Sequence, residues 1–344
     1  MAHERWVLRT RSFSRSITPR TVYVAGALIV LLAAVMFASL SIGEYVIAPA
    51  DLLAVLAGDG SRRHGFIVGI LRMPRLAMAC LVGAALGLSG LILQSVVRNP
   101  LASPDILGIT GGASAAAVGY MSLLAPAMGM RWLPLAAILG AGLTAALVYA
   151  LAYRQGTSPL RLVLTGVGVS AVMAATTTWL MVTSPLSSTL SAYVWLAGSV
   201  FGASWSDVGS MFLWLCAIVP VLAYAARTVD IFDLEDGMAT GLGVNVEVTR
   251  LWLLVLAVAL AGAAVAHAGA IGFAGLIAPH VARALVARTF AGLTVATALV
   301  GALLVATADL AARTLFLPLD LPAGLFVSGL GAAFFVYLLA RQAR

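Results

Sequence analysis

Lysine is absent from this 344-residue chain: all 20 basic residues are arginine. That absence removes any phosphate-binding loop of the GxxxxGK[ST] kind, which needs its lysine. Schiff-base and lysine general-base chemistry go with it. If ATP drives this protein, another chain hydrolyses it. Charge of either sign is scarce too, at 10% of residues against about 25% in soluble domains. Only two cysteines occur, Cys80 and Cys216, each alone in an apolar run. That excludes a disulfide framework and assigns both as buried small hydrophobes. The four histidines, His3, His64, His267 and His280, are scattered, so no metal or catalytic constellation is visible.

What is present is apolar: 62% of the residues. Ten stretches stand out, at Thr21–Ile42, Leu76–Val97, Ile106–Leu124, Leu133–Tyr153, Leu160–Val182, Val208–Ala226, Leu251–Ala270, Phe273–Val286, Ala291–Leu310 and Leu321–Leu339. Most match a hydrocarbon core of about 30 Å. The fold class is therefore an all-α polytopic membrane protein of about ten transmembrane helices. One membrane domain covers 21–344, after a basic cytoplasmic tail over 1–20. The first apolar run exceeds a signal-peptide core, so it reads as a retained span. Phe273–Val286 is too short to cross and reads as a half-span shielded by its neighbours.

The formal charge of +7 does not point to nucleic acid, because the arginines segregate. With ten crossings and the N-terminus inside, fourteen fall on one face: Arg5, Arg9, Arg11, Arg15, Arg20, Arg98, Arg154, Arg161, Arg227, Arg250, Arg283, Arg288, Arg341 and Arg344. Arg62, Arg63, Arg72, Arg75, Arg131 and Arg313 fall on the other. The positive-inside bias places both termini in the cytoplasm.

Two connections are long. Ser184–Asp207, outside, contains YVWLAGSVFGASW, which reads as a short interfacial or re-entrant helix with Tyr193, Trp195 and Trp205 at the headgroups. The inner loop, about 228–250 with Arg227 at its edge, reads as two short surface helices joined by a glycine elbow at Gly241 and Gly243.

Within the spans ionisable groups are few. Asp309 and Arg313 stand at i,i+4, a pair that neutralises itself on one helix. His267 fits a satisfied packing histidine or a lone proton relay. His280 fits helix capping or interface anchoring. The Arg-x-Pro-Arg of Arg72–Arg75 fits snorkelling anchors, or, with Arg313, a cluster that binds carboxylates bidentately. Asn99-Pro100-Leu101 closes the second span. Ser103 then caps the third, with Pro104 at its first helical position. Gly166, Ser170, Ala174 and Thr177 recur at helical spacing, fitting close helix packing or a smooth, weakly polar wall for a bulky solute.

Read in order, RMPRLAMACLVGAALGLSGLILQ, NPLASPDILGITGGASAAAV, GAIGFAGLIAPHVAR (Gly269–Arg283) and DLPAGLFVSGLGAAFF (Asp320–Phe335) resemble the membrane subunit of the iron-chelate and vitamin B12 family of ABC importers. The likeness runs over essentially the whole chain after the tail. NPLASPDILG and VFGASWSD look most like ferric-siderophore permeases, particularly the ferric-enterobactin type. The resemblance implies a type II ABC importer permease fold in the bacterial cytoplasmic membrane. It implies no cofactor on this chain, since ATP and Mg belong to two cytoplasmic ATPase subunits. A second permease, identical or paralogous, and a periplasmic or lipoprotein binding protein complete the assembly it implies. Carried over by motif, Arg72, Arg75 and Arg313 match arginines that meet the binding protein. Leu234, Glu235, Asp236, Ala239, Thr240, Gly241, Leu242 and Gly243 match the paired coupling helices that enter the ATPase. Asn99 and Leu101, with Thr157 and Ser158, match the inner gate; the reading of Gly166, Ser170 and Thr177 as pathway lining rests on their helical spacing alone. Ala333 stands where relatives often have proline, and Asp320 where they often have glutamate. Haem or cobalamin is the alternative cargo within the family. Outside it, the alternatives are an ion-coupled secondary carrier and a structural membrane anchor.

Overall fold

The computed structural model describes residues 6–10, 13–17, 19–154, 156–286 and 289–342. Arg5, Arg11, Arg288 and Arg344 of the positive-inside count lie outside them. Within the expected tail, Trp6–Thr10 (β1) pairs antiparallel with Phe13–Ile17 (β2).

The remaining elements are helical. Pro19–Ser41 (α1) and Pro49–Ala57 (α2) come first. Arg62–Phe66 (α3), a π-helical turn at Ile67–Arg72 and Met73–Val97 (α4) form one continuous helix of 36 residues. Ile109–Leu123 (α5), the single turn Ala125–Met128 (α6), Leu133–Ala152 (α7) and Pro159–Thr183 (α8) follow. Next are Leu186–Leu196 (α9), Trp205–Phe232 (α10), Asp236–Gly241 (α11) and Val246–Ala268 (α12). Ala274–Leu285 (α13), Phe290–Thr314 (α14) and Ala323–Gln342 (α15) complete the chain. Among the described residues, 7 helices are long and apolar enough to cross a bilayer by length and composition. The shorter α5, α13 and α15 occupy the other three expected stretches.

The α3–α4 helix is central, its most apolar stretch 78% buried against 6% for α1. It packs on α10, α12, α13 and α14, and a second group joins α5, α7 and α8. Close approach explains the small residues. A Cβ on Gly90 would overlap the carbonyl oxygen of Gly275 on α13, and one on Gly83 would overlap that of Gly301 on α14. Backbone-to-backbone contact of this kind replaces the hydrophobic drive that lipid does not supply. The half-span expectation holds: α13 has 12 residues, about 18 Å of rise, and buries Gly275, Ala278, Pro279 and Ala282 against neighbouring helices.

Four expectations are corrected. The helix of the second span starts at Arg62, fourteen residues before Leu76, because the π turn lets it run through Pro74 with the Met73 N–H bonded to Val68 O. The third span does not start at Ser103 and Pro104. Pro104–Gly108 closes on itself, Ile109 N to Pro104 O at 3.1 Å and Gly108 N to Asp105 O at 3.1 Å, and helix α5 begins after left-handed Gly108, φ +75°. That is a glycine-terminated turn. The inner loop holds one short helix, α11, rather than two. Gly243, φ +86°, terminates it, with Val244 N on Ala239 O, and the restart is α12 itself, capped by Asn245. Finally, Cys216 is exposed on α10 rather than buried; an apolar span offers a lipid-facing side as readily as a protein-facing one.

Candidate functional site

Arg72 and Arg98 bracket α4, so the described residues divide between two ends of the bundle separated by about 37 Å of helix. At the first end lies a cleft of about 680 Å³ lined by Arg72, Arg75, Arg313, Glu44, Phe201 and Asp320. Its arginines are held by this chain's own groups. Arg75 grips Asp309 with Nε and Nη2 (2.9 and 2.8 Å to Oδ1) and Asp320 with Nη1 and Nη2 (2.5 and 2.8 Å). Arg72 donates to Leu40 O at 2.5 Å, Ser41 O at 3.2 Å and Tyr45 O. Arg313 donates to Ile42 O at 2.8 Å, Ser39 Oγ at 2.7 Å and Ser39 O. The two together satisfy carbonyls that the C-terminus of α1 leaves without helical partners. The expected Asp309–Arg313 pair is present at 3.8 Å, but the closer partner of Asp309 is Arg75 on another helix, at 2.8 Å. Only the fold reveals this, since i,i+4 spacing shows local neighbours alone.

At the second end, α11 and the residues flanking it present Leu234, Met238 and Leu242 outward, 39%, 55% and 62% exposed, while Ala239 is fully buried beneath them. Glu235 is its N-cap residue, and Thr240, Gly241 and Gly243 are exposed. Asp236, in its first turn, is bound by two arginines. Arg98 Nη2 reaches Asp236 Oδ1 at 2.6 Å and Phe232 O at 2.8 Å. Arg250 Nη2 lies 3.3 Å from Asp236 Oδ2. Burial acts to raise the Asp236 pKa, but hydrogen bonding and charge from Arg98 and the charge of Arg250 outweigh it and hold it below the usual carboxylate value.

Thr157 belongs to the same network. Its N–H donates to Glu247 at 3.1 Å, its hydroxyl to Glu247 Oε2 at 2.9 Å, and its carbonyl accepts from Arg250 Nη1 at 2.7 Å. Asn99 directly follows Arg98, and its Oδ1 accepts Leu101 N–H at 2.9 Å, closing that turn locally. The structure thus brings the α11 residues, the Asn99–Leu101 turn and the Thr157–Ser158 turn to one end. Sequence reasoning misses the part played by Arg98, Glu247 and Arg250. A signal exists: Arg250 stands inside an apolar helix, and a charge there requires a partner.

A third feature lies between α5, α8 and α9: a cavity of about 580 Å³ lined by Asp105, Thr110, Ser114, Thr177, Thr189 and Tyr193 among others. Thr177 reaches it; Gly166 and Ser170 do not. A Cβ on Gly166 would lie 2.7 Å from Ile106 O, and Ser170 Oγ donates to Gly166 O at 2.7 Å, so these two serve close packing against the 104–108 turn. Of the remaining candidates, His267 Nδ1 sits 2.9 Å from Ala263 O on its own helix, and His280 meets Phe334 edge-on at 5.3 Å. Tyr193 and Trp205 are exposed, with Trp205 Nε1 donating to Gly69 O, while Trp195 packs on the core. No group of three or more potential metal ligands occurs among the described residues.

This arrangement is a multi-helix membrane bundle with arginine-bound acidic groups at its two ends and a cavity of about 580 Å³ between α5, α8 and α9. Comparison with known proteins places it further. Residues 31–341 match the FecCD transport family. The chain is 55% identical over 336 residues to the achromobactin transport system permease protein CbrC of Dickeya dadantii (strain 3937), covering 98% of this chain and 96% of that one. It is 38% identical over 302 residues to the ferric enterobactin transport system permease protein FepG of Escherichia coli (strain K12), covering 88% and 91%. Among solved structures, a metal-chelate type ABC transporter in an inward-facing conformation matches with TM-score 0.81 and 28% identity, over 93% of this chain and 99% of that one. The chain belongs to the FecCD transport family and is a permease of the iron-chelate class of ABC importers.

Proposed function

We propose that this chain forms, with a second permease subunit, the path by which a ferric siderophore of the achromobactin kind crosses the cytoplasmic membrane. The observation that carries this reading is the 55% identity over nearly all of both chains, against 38% for the enterobactin permease. The likeness to the enterobactin type is accordingly the lesser one. Both termini lie in the cytoplasm, so the arginine cleft faces outward and meets acidic residues of a binding protein. Helix α11 faces inward, where exposed Leu234, Met238 and Leu242 suit an apolar groove of a separate ATPase. The Asn99–Leu101 and Thr157–Ser158 turns form the inner gate. The cavity at Thr177 belongs to the pathway, which a second permease completes against α8, a helix only 22% buried within this chain.

The test is reconstitution in lipid vesicles with the partner permease, ATPase and binding protein. ATP-dependent accumulation of iron-loaded achromobactin is expected, in preference to ferric enterobactin, haem or cobalamin. Preference for one of those three would overturn the cargo assignment. Uphill transport by this chain alone along a proton or sodium gradient would overturn the class.

A further inference from the structure

We propose that Arg250 is the positioning residue through which displacement of α11 is delivered to the turn at Thr157. The proposal rests on the reading of α11 as the ATPase contact and of that turn as part of the inner gate.

Arg250 lies in the first turns of α12 and is 0% exposed, the bulkiest of the fully buried side chains. A guanidinium out of water is strongly disfavoured unless several acceptors surround it. Here the acceptors come from three places. Glu247, one turn earlier on α12, lies 2.9 Å from Nη1. Thr157, in the α7–α8 connection, offers its carbonyl at 2.7 Å and its hydroxyl at 3.0 Å. Asp236, on α11, approaches Nη2 at 3.3 and 3.4 Å. The plane of the fork therefore spans two segments that share no covalent neighbour. The Phe232 ring, 5.8 Å away at the end of α10, packs beside it.

The grip is uneven, and the unevenness gives it a direction. On the Thr157 side contacts are short, and Glu247 takes the N–H and hydroxyl of the same residue, so Thr157 is fixed to the start of α12. On the α11 side the contacts are longer, and the Asp236 side chain is 50% exposed. Asp236 also holds Arg98, which immediately precedes the Asn99 turn. One carboxylate on α11 therefore meets two arginines, each leading to a different gate turn. A purely local staple for α11 would need neither a buried guanidinium nor contact with Thr157. Moving α11 changes the attraction on both arginines together, and Arg250 passes the change to Thr157 through its second Nη group. Lysine cannot substitute, because a single ammonium lacks the fork that serves both sides.

The experiment uses the complete reconstituted transporter and reads siderophore transported per ATP hydrolysed. It also reads the nucleotide-dependent distance between a spin label at Ser158 of this chain and one at the corresponding turn of the second permease, in a background with Cys80 and Cys216 replaced. Asp236→Asn, which leaves no charge newly buried, is expected to lower the coupling ratio about tenfold and to abolish the nucleotide-dependent change at Ser158. Asp236→Glu restores both, and Val248→Ala, at an exposed neighbouring site, changes neither. Arg250→Lys is expected to behave like Asp236→Asn. A native coupling ratio and a native Ser158 distance change in Asp236→Asn would overturn the role of Arg250. Met238→Glu separates the two levels. If it leaves ATPase assembly intact, the reading of α11 fails; if it detaches the ATPase while Asp236→Asn couples normally, only the Arg250 inference fails.

Discussion

Arg75 and Asp309, 234 positions apart in sequence, meet through a forked pair of hydrogen bonds between α4 and α14, the shortest at 2.8 Å. Asp309 is 1% exposed, so its carboxylate has exchanged water for this one guanidinium and a more distant Arg313. The cleft's most conspicuous arginine is thus a structural tie as well as a surface feature. Removing it leaves a buried charge behind.

Arg75→Met is therefore expected to destabilise the permease by about 3–5 kcal/mol, the usual effect of breaking a buried ion pair from one side. The double variant Arg75→Met/Asp309→Asn recovers most of that loss. Thermal unfolding in micelles measures both; equal losses in single and double variants would show that the pair does not matter. The same result bears on docking experiments, because a charge reversal at Arg75 sets three carboxylates together.

Helix contact at Gly90 makes a second expectation. Gly90→Ala drives a methyl group into the Gly275 carbonyl and is expected to cost about 1–3 kcal/mol as overpacking. Gly142→Ala, where a Cβ meets nothing within 4 Å, should leave the unfolding midpoint unchanged. Similar midpoints for the two variants would refute the crossing described at Gly90.

Gly43 lies against both carbonyl-capping arginines. A Cβ there would stand 2.7 Å from Arg72 Nη2 and 3.0 Å from Arg313 Nη1. Gly43→Ala is expected to push the guanidinium groups off the end of α1, at about 1 kcal/mol for each hydrogen bond lost. Limited proteolysis should then cut the segment after Ser41 faster than in the native protein. Unaltered cleavage would mean that the arginines accommodate the methyl group.

Acid should act on α11 late. The folded Asp236 pKa lies below its ordinary value of 3.8, so its contribution is fully present above that value and is lost as pH falls through the folded one. The protection of α11 amides, with exchange corrected for its intrinsic pH dependence, is expected to be constant between about pH 7 and 5 and to fall only below about 4. Asp236→Asn should show the lowered protection already at neutral pH. A transition near pH 6 would assign the control to another group.

Much of the site is legible in the chain, and the gaps have physical causes. Residues acting within one segment are readable: the 12-residue α13 follows from the brevity of its apolar run, and the exposed face of α11 from its position in a charged loop. The turn at Pro104–Gly108 misleads because Ser-Pro-Asp is a strong helix-start signal, while the glycine four positions on stops the same turn. The second short helix expected in this loop is absent because Gly243 both ends α11 and leads directly into α12. Cys216 escapes a hydropathy argument because hydropathy does not distinguish lipid from protein.

Composition by itself determined that this is a multi-spanning membrane protein without a lysine-bearing phosphate loop, since apolar length and missing lysine act residue by residue and need no partner. Which charges face which was decided only by tertiary structure. Arg75 finds Asp309, and Arg250 joins Asp236 to Thr157, because ion pairing depends on separations of a few ångströms between helices that the chain order leaves far apart.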